Sequence, residues 1–257
     1  MHDEATTKDF GPIRSDYEFF VSHATETVED LSAYRRELQH LPHDRQRLAM
    51  LDFGCGDGRF TQLLLDQCLF PREQLELVLV EPQPAYREAA AARLQRHSRH
   101  PLRAWSTLAE AGDGRFDLIV ANHSLYYVPD LQQSVTTLLN VLADDGVFVA
   151  AMAGRENTLI QFWIQCFAML ERPVPYHLAE DLEAALCQSA SSFQAEPVHY
   201  ELRFADSQEN RSAILRFLLS DHFAGLPRQA ALDLFQPWSV AGEIVMPITH
   251  RHFVVAR

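Results

Sequence analysis

Leu48-Ala49-Met50-Leu51-Asp52-Phe53-Gly54-Cys55-Gly56-Asp57-Gly58-Arg59-Phe60-Thr61 reads as a buried strand that breaks into a glycine-rich loop and restarts as a helix. Three glycines at every second position let the backbone turn tightly and let a ligand approach the main chain. A helix start ordinarily suits an anion. Asp52 and Asp57 in the same loop would repel a pyrophosphate, whereas a ligand carrying an ammonium and a sulfonium suits them. The spacing also departs from the dinucleotide fingerprint G-x-G-x-x-G, because Arg59 stands where the third glycine belongs. Taken alone, such a loop can also be a turn whose glycines only satisfy geometry.

Around this loop, strand and helix patterns alternate. Strands are predicted at 50–53, 75–80, 101–106, 116–121 and 147–152, and helices at 59–69, 84–96 and 131–142. Asp144-Asp145-Gly146 supplies a turn before the fifth strand. Ahead of the loop, Tyr17, Phe20, Val21, Val28, Leu31, Tyr34 and Leu38 recur at helical spacing and predict one helical segment over 16–38, after poorly ordered residues 1–14. Beyond Met152, helices are predicted at 157–170, 179–189, 209–220 and 228–235, with strands near 197–204 and 250–256. This order implies an α/β fold: a doubly wound, mostly parallel seven-stranded sheet with right-handed crossovers. A helical N-terminal segment and C-terminal additions would cover the site. One domain spans 1–257: an N-terminal cover (1–45), a cofactor-binding core (46–152), and the substrate cover with the last strands (153–257).

The chain has 257 residues, 47% of them hydrophobic, which is enough for a sizeable core. A net charge of -13 argues against a nucleic-acid partner, which needs dense Lys and Arg. Cys55, Cys68, Cys166 and Cys187 form no C-x-x-C pair and no zinc-finger spacing, so no metal is expected, and scattered thiols suit a reducing compartment. No apolar run approaches the ~20 residues that span a bilayer. A soluble cytoplasmic protein, monomer or homodimer, is the default.

The remaining chemistry-bearing residues follow strands, at the end of the sheet where ligands bind in such folds. Glu81-Pro82 closes Val78-Leu79-Val80, and a carboxylate there can accept hydrogen bonds from both hydroxyls of an adenosine ribose. Trp105-Ser106-Thr107 follows the third strand, where one residue can meet the adenine; no obvious acid stands there. Asn122-His123-Ser124-Leu125-Tyr126-Tyr127 follows the fourth. Tyr126 and Tyr127 read either as faces for a sulfonium or an amine or as core tyrosines with bonded hydroxyls. His123 reads as a substrate-orienting or proton-accepting group or as a satisfied histidine.

The pattern D-x-G-x-G-x-G over Asp52–Gly58 resembles the first motif of class I S-adenosylmethionine-dependent methyltransferases. A narrower resemblance, to the histamine N-methyltransferase type, lies in Val80-Glu81-Pro82, in Phe116–Asp130 with its Leu-Tyr-Tyr-Val, and in Phe20-Val21-Ser22-His23-Ala24-Thr25-Glu26. Weaker similarity runs through Trp163, Tyr176–Leu182, Phe217–Phe223 and Phe253-Val254-Val255. The resemblance implies that Asp52, Gly54, Cys55, Gly56, Asp57, Glu81, Pro82, Ser106 and Asn122 hold S-adenosylmethionine. It implies that Tyr17, Phe20, Tyr126, Tyr127, Trp163 and Phe223 wall a substrate pocket and that Glu26 pairs with a substrate ammonium. On the residues alone Glu26, flanked by Glu29 and Asp30, reads as a surface acid. Two departures alter the hydrogen-bonding code. His123 stands for the family's substrate-contacting glutamine, and Thr249 or His250 for its C-terminal asparagine.

The implied reaction is an in-line displacement that releases S-adenosylhomocysteine, with His123 and Tyr127 nearest the chemistry and positioning as the protein's main contribution. The acceptor is a small molecule, an amine or imidazole nitrogen. The alternatives are a small-molecule O-methyltransferase and a noncatalytic cofactor-binding protein on the same fold.

Overall fold

Each central strand places alternate side chains on opposite faces, and the apolar residues of both faces are buried. That is the signature of a parallel sheet covered on both sides. The computed structural model describes Lys8 and residues 10–39, 46–68, 70–112, 114–189 and 192–256. The expectation for 1–14 therefore falls largely on residues outside this set.

Among the described residues, β1 (Leu48–Phe53), β2 (Leu75–Val80), β3 (Arg103–Trp105), β4 (Phe116–Asn122) and β5 (Leu142–Met152) pair in parallel in the order β3-β2-β1-β4-β5. The sheet continues through β8 (Glu243–Ala256), antiparallel to β5, and β6 (Gln194–Ala205), antiparallel to β8. A two-residue β7 (Ser239–Val240) also pairs with β8, which brings the sheet to eight strands where seven were expected. Met50, Leu77, Leu79, Leu118 and Val120 face one core, and Leu51, Val78, Val80, Ile119 and Ala121 the other.

The N-terminal cover is two helices, not one: α1 (Arg14–His23) and α2 (Glu26–Leu38). Between them Ala24 is extended and bridges Leu202 of β6. The Thr25 amide donates to the Glu201 carbonyl (2.9 Å), and the Glu201 amide donates to the Thr25 hydroxyl (3.0 Å). Helical periodicity carries across this break because the cause is non-local. The other helices, α3 (Arg59–Cys68), α4 (Pro84–Leu94), α5 (Leu131–Asn140), α6 (Thr158–Met169), α7 (Ala179–Ser189), α8 (Gln208–Leu219) and α9 (Arg228–Asp233), fall where the periodicity places them.

Two loop glycines are sterically required. Gly54 has φ 75°, and a Cβ there would lie 2.3 Å from the Ser124 Cβ. Gly58 has φ 77°, and its Cβ would lie 3.0 Å from the Ala90 backbone on α4. Left-handed backbone and overpacking together predict that Gly58→Ala costs about 2–4 kcal/mol. Urea unfolding checks this; a loss below about 1 kcal/mol would show that α4 yields freely.

Candidate active site

The carboxyl ends of β1, β2 and β4 meet at the glycine loop. Gly54 donates its amide to the Val80 carbonyl (2.7 Å), and the Ser124 hydroxyl donates to the Phe53 carbonyl (2.6 Å), locking the three strand ends together. Glu81 accepts the amides of Gly56 (3.0 Å) and Gln83 (2.9 Å), one on each oxygen. Burial raises its carboxyl while these two amides favour the charged form. Each oxygen keeps a lone pair for a further donor. The space above Gly56 is open, since a Cβ there would meet nothing within 4 Å. Asn122, at the end of β4, buries its Oδ1 without a partner in the chain. A buried acceptor left unpaired is costly unless a ligand supplies the donor.

The two loop aspartates are engaged within the chain. Asp52 is buried and accepts the Thr61 hydroxyl. Burial pushes its carboxyl up to about 7 against that bond. Asp57 accepts the Arg59 amide (3.1 Å) at the start of α3 and pairs with Arg93 (3.2 Å). Burial holds the Cys55 thiol well above its ordinary range, so it is no thiolate nucleophile. Pro82 leads into α4. The Ser106 amide and hydroxyl both bond the Glu110 carboxylate (2.9 and 3.0 Å), which brings an acid back to the end of β3. The signal for it was the capping box Thr107-x-x-Glu110.

Next to the cofactor half, Asp30 on α2 is the hub of a polar cluster. Its Oδ2 lies 3.1 Å from His123 Nε2, and its Oδ1 lies 2.7 Å from His250 Nε2 and 3.0 Å from His252 Nε2. Burial alone would raise this carboxyl, but the charge on His123 and the imidazole contacts hold it well below its ordinary range. Burial would lower His123, but Glu26 (3.7 Å) and Asp30 push it up to about 9. His123 also holds a left-handed backbone, φ 51°, and its Nδ1 lies 3.3 Å from the Tyr126 hydroxyl. Tyr126 in turn accepts the Ala153 amide (2.5 Å).

A cluster of packed rings adjoins these polar residues. Phe20 stacks on Phe217 (4.6 Å), Tyr17 packs beside the same ring (5.7 Å), and Tyr126–Trp163–Tyr176–Tyr127 form a connected wall. Of the anticipated walls, Tyr17, Phe20, Tyr126, Tyr127 and Trp163 are brought together. Phe223 packs against the core from the turn Ser220–Gly225, and Phe217 on α8, not anticipated, joins the rings. Burial holds Tyr127 well above its ordinary range. Lys8, 5% exposed, sits among these rings, its Nζ donating to the Phe217 and Leu218 carbonyls. Four ring centroids surround it: Phe217 (4.7 Å), Phe10 (5.0 Å), Tyr127 (5.8 Å) and Trp163 (6.0 Å).

With this geometry in view, the comparisons are specific. Residues 51–148 match the family model described as a methyltransferase domain. This stretch is a methyltransferase domain. It spans the glycine loop, Glu81 and Asn122. The solved fold neighbours include the YcgJ protein of Bacillus subtilis (TM-score 0.56, 17% identity, covering 88% of this chain and 98% of that one). They also include the plantazolicin methyltransferase BamL, solved with S-adenosylhomocysteine (TM-score 0.54, 13% identity, 93% and 88% covered). The MccD protein is a third (TM-score 0.52, 11% identity, 87% and 95% covered). No curated protein sequence matches the chain.

The chain is thus an S-adenosylmethionine-dependent methyltransferase, and its residues fit that cofactor through the unpaired Asn122 Oδ1, the open face of Gly56 and the free lone pairs of Glu81. No described helix is long and apolar enough to cross a membrane. Glu81→Gln is predicted to weaken S-adenosylhomocysteine binding roughly 10–150-fold, from ~1.5–3 kcal/mol for bonds to a charged acceptor. Asp57→Asn, whose carboxylate already serves Arg93, should change it less than about 3-fold. Titration calorimetry on both variants checks the contrast.

Proposed function

We propose that the chain transfers the methyl group of S-adenosylmethionine to an amine nitrogen of a small molecule held in the ring-lined pocket. The nitrogen lone pair forms the new bond to carbon, and the S–C bond breaks with its electrons staying on sulfur. Such an acceptor must be recognised as a cation and attack as a neutral amine.

The observation that carries this reading is Lys8. Its side chain is an alkylamine held by ring faces and two backbone carbonyls, a lining that attracts cations by ~0.5–2 kcal/mol. Burial in the same place pushes its pKa down to about 7. A pocket that does this to one amine would do it to another, releasing the nucleophile near neutral pH without a dedicated base. A phenol or alcohol would need a base. The tyrosine hydroxyls, held well above their ordinary range by burial, supply none readily, which favours nitrogen over the O-methyl alternative. The histamine N-methyltransferase-type resemblance points to the same acceptor class. In this reading His123 orients, and the ammonium role implied for Glu26 passes to the ring cage, because Glu26 faces His123.

The test is label transfer from S-adenosylmethionine to a panel of alkylamines, imidazoles, phenols and carboxylic acids. Alkylamines should be methylated, and Lys8→Ala, which vacates the pocket, should lower their KM roughly 2–30-fold. Turnover confined to phenols or acids would overturn the reading. The pH profile gives an independent check. The active form is the deprotonated amine, so kcat should rise with pH through about 7 and level off above it, following the value seen for Lys8. A rise only near pH 10, the free-amine range, would mean that the pocket does not shift its acceptor.

A further inference from the structure

We propose that Asp30, His250 and His252 form a binding site for one divalent transition-metal ion, with His123 bonded to the far oxygen of the Asp30 carboxylate. The three ligands come from two rigid elements. Asp30 lies in the second turn of α2, while His250 and His252 are alternate residues of β8 and so share one face of the strand. Arg251, between them, points the other way, to Glu156, Glu180 and Glu183. All three ligands are buried: Asp30 is 1% exposed, His250 0% and His252 3%.

The spacing is that of ligands around an ion. Asp30 Oδ1 stands 2.7 Å from His250 Nε2 and 3.0 Å from His252 Nε2. Metal bonds of about 2.0–2.1 Å set neighbouring ligand atoms about 3 Å apart. A second convergent triad, Glu26, His123 and His250, shares His250. Its 3.7 Å contact between Glu26 and His123 is looser, which places the ion on the Asp30 side.

His250 supplies the second observation. Its Nε2 lies 2.7 Å from Asp30 Oδ1 but out of line for a well-formed hydrogen bond, and its buried Nδ1 has no hydrogen-bond partner in the chain. Two groups that approach closely without facing each other are placed to face a common third atom. Leaving an imidazole in this state costs free energy that coordination at Nε2 would recover.

Charge and donor type agree. A divalent ion here offsets the negative charge that Asp30 and Glu26 bring beside His123. Two imidazole nitrogens and one carboxylate oxygen select zinc, iron, cobalt or nickel over the all-oxygen preferences of magnesium and calcium. The bond from His123 to Asp30 Oδ2 (3.1 Å) is the outer hydrogen bond that a ligating carboxylate requires.

The test uses the full chain, freed of metal by chelator dialysis and titrated with Co2+ and then Zn2+. The expected result is about one Co2+ per chain with visible d–d absorption, displaced by Zn2+, and a higher Tm in either metal by linkage. His250→Ala and His252→Ala, checked for folding by circular dichroism, should lose the absorption. His123→Ala should keep it with affinity about 10–100-fold weaker. His199→Ala, on β6, should be unchanged. If the wild-type chain gives no stoichiometric absorption and no Tm shift, the site does not exist. Equal Co2+ binding by a folded His250→Ala/His252→Ala double variant would assign the ion elsewhere and overturn the proposal. Neither readout depends on methyl transfer, so the outcome stands apart from the amine reading.

Discussion

A single buried carboxylate joins the N-terminal cover to the sheet. Asp30 projects from α2 into the buried interior and meets imidazoles from the β4–α5 loop and from β8. Removing one partner of a buried charged pair costs about 3–5 kcal/mol, because the other is left uncompensated. The cover is also tied down elsewhere: Asp16 on α1 pairs with Arg216 on α8 (2.8 Å), and the α1–α2 junction bridges β6. Asp30 is the tie that lies inside the site, so the packing of the cover and the polarity of the pocket have one origin.

The site divides into halves made by different physics. The cofactor half is backbone geometry at the carboxyl ends of parallel strands, where glycines allow close approach and amides fix the Glu81 carboxylate. The proposed acceptor half is side-chain packing, in which rings from α1, the β4–α5 loop, α6 and α8 gather around Lys8 and two carbonyls. His123 stands at the seam in a left-handed conformation that non-glycine residues rarely adopt, a feature characteristic of functional positions.

The cofactor half was legible in the sequence because its determinants are local. A strand, three glycines, a helix, and an acid closing the next strand are written in consecutive residues, and each lies where its pattern puts it. The acceptor half was legible only in kind. Aromatic residues were expected, and five of the six gather, joined by Phe217 of α8, while Phe223 packs against the core from the following turn. Glu26 drew attention through resemblance, whereas Asp30, one helical turn on, is the buried acid; two equivalent-looking carboxylates on a helix are distinguished only by what packs above them. The break at Ala24 and Thr25 depends on a strand some 175 residues away, so no local pattern could report it. Lys8 lay in a stretch read as poorly ordered. His250-x-His252 carried a signal, two imidazoles on one strand face, that became meaningful once α2 was placed against it.

The central claim, that the Asp30 carboxylate holds the cover against the sheet, is tested most directly by hydrogen–deuterium exchange of the wild-type chain and Asp30→Asn. The account predicts faster exchange across α1 and α2 in the variant, with β1, β4 and β5 still protected. Unchanged exchange in both helices, or an equal loss of protection throughout the sheet, would contradict it.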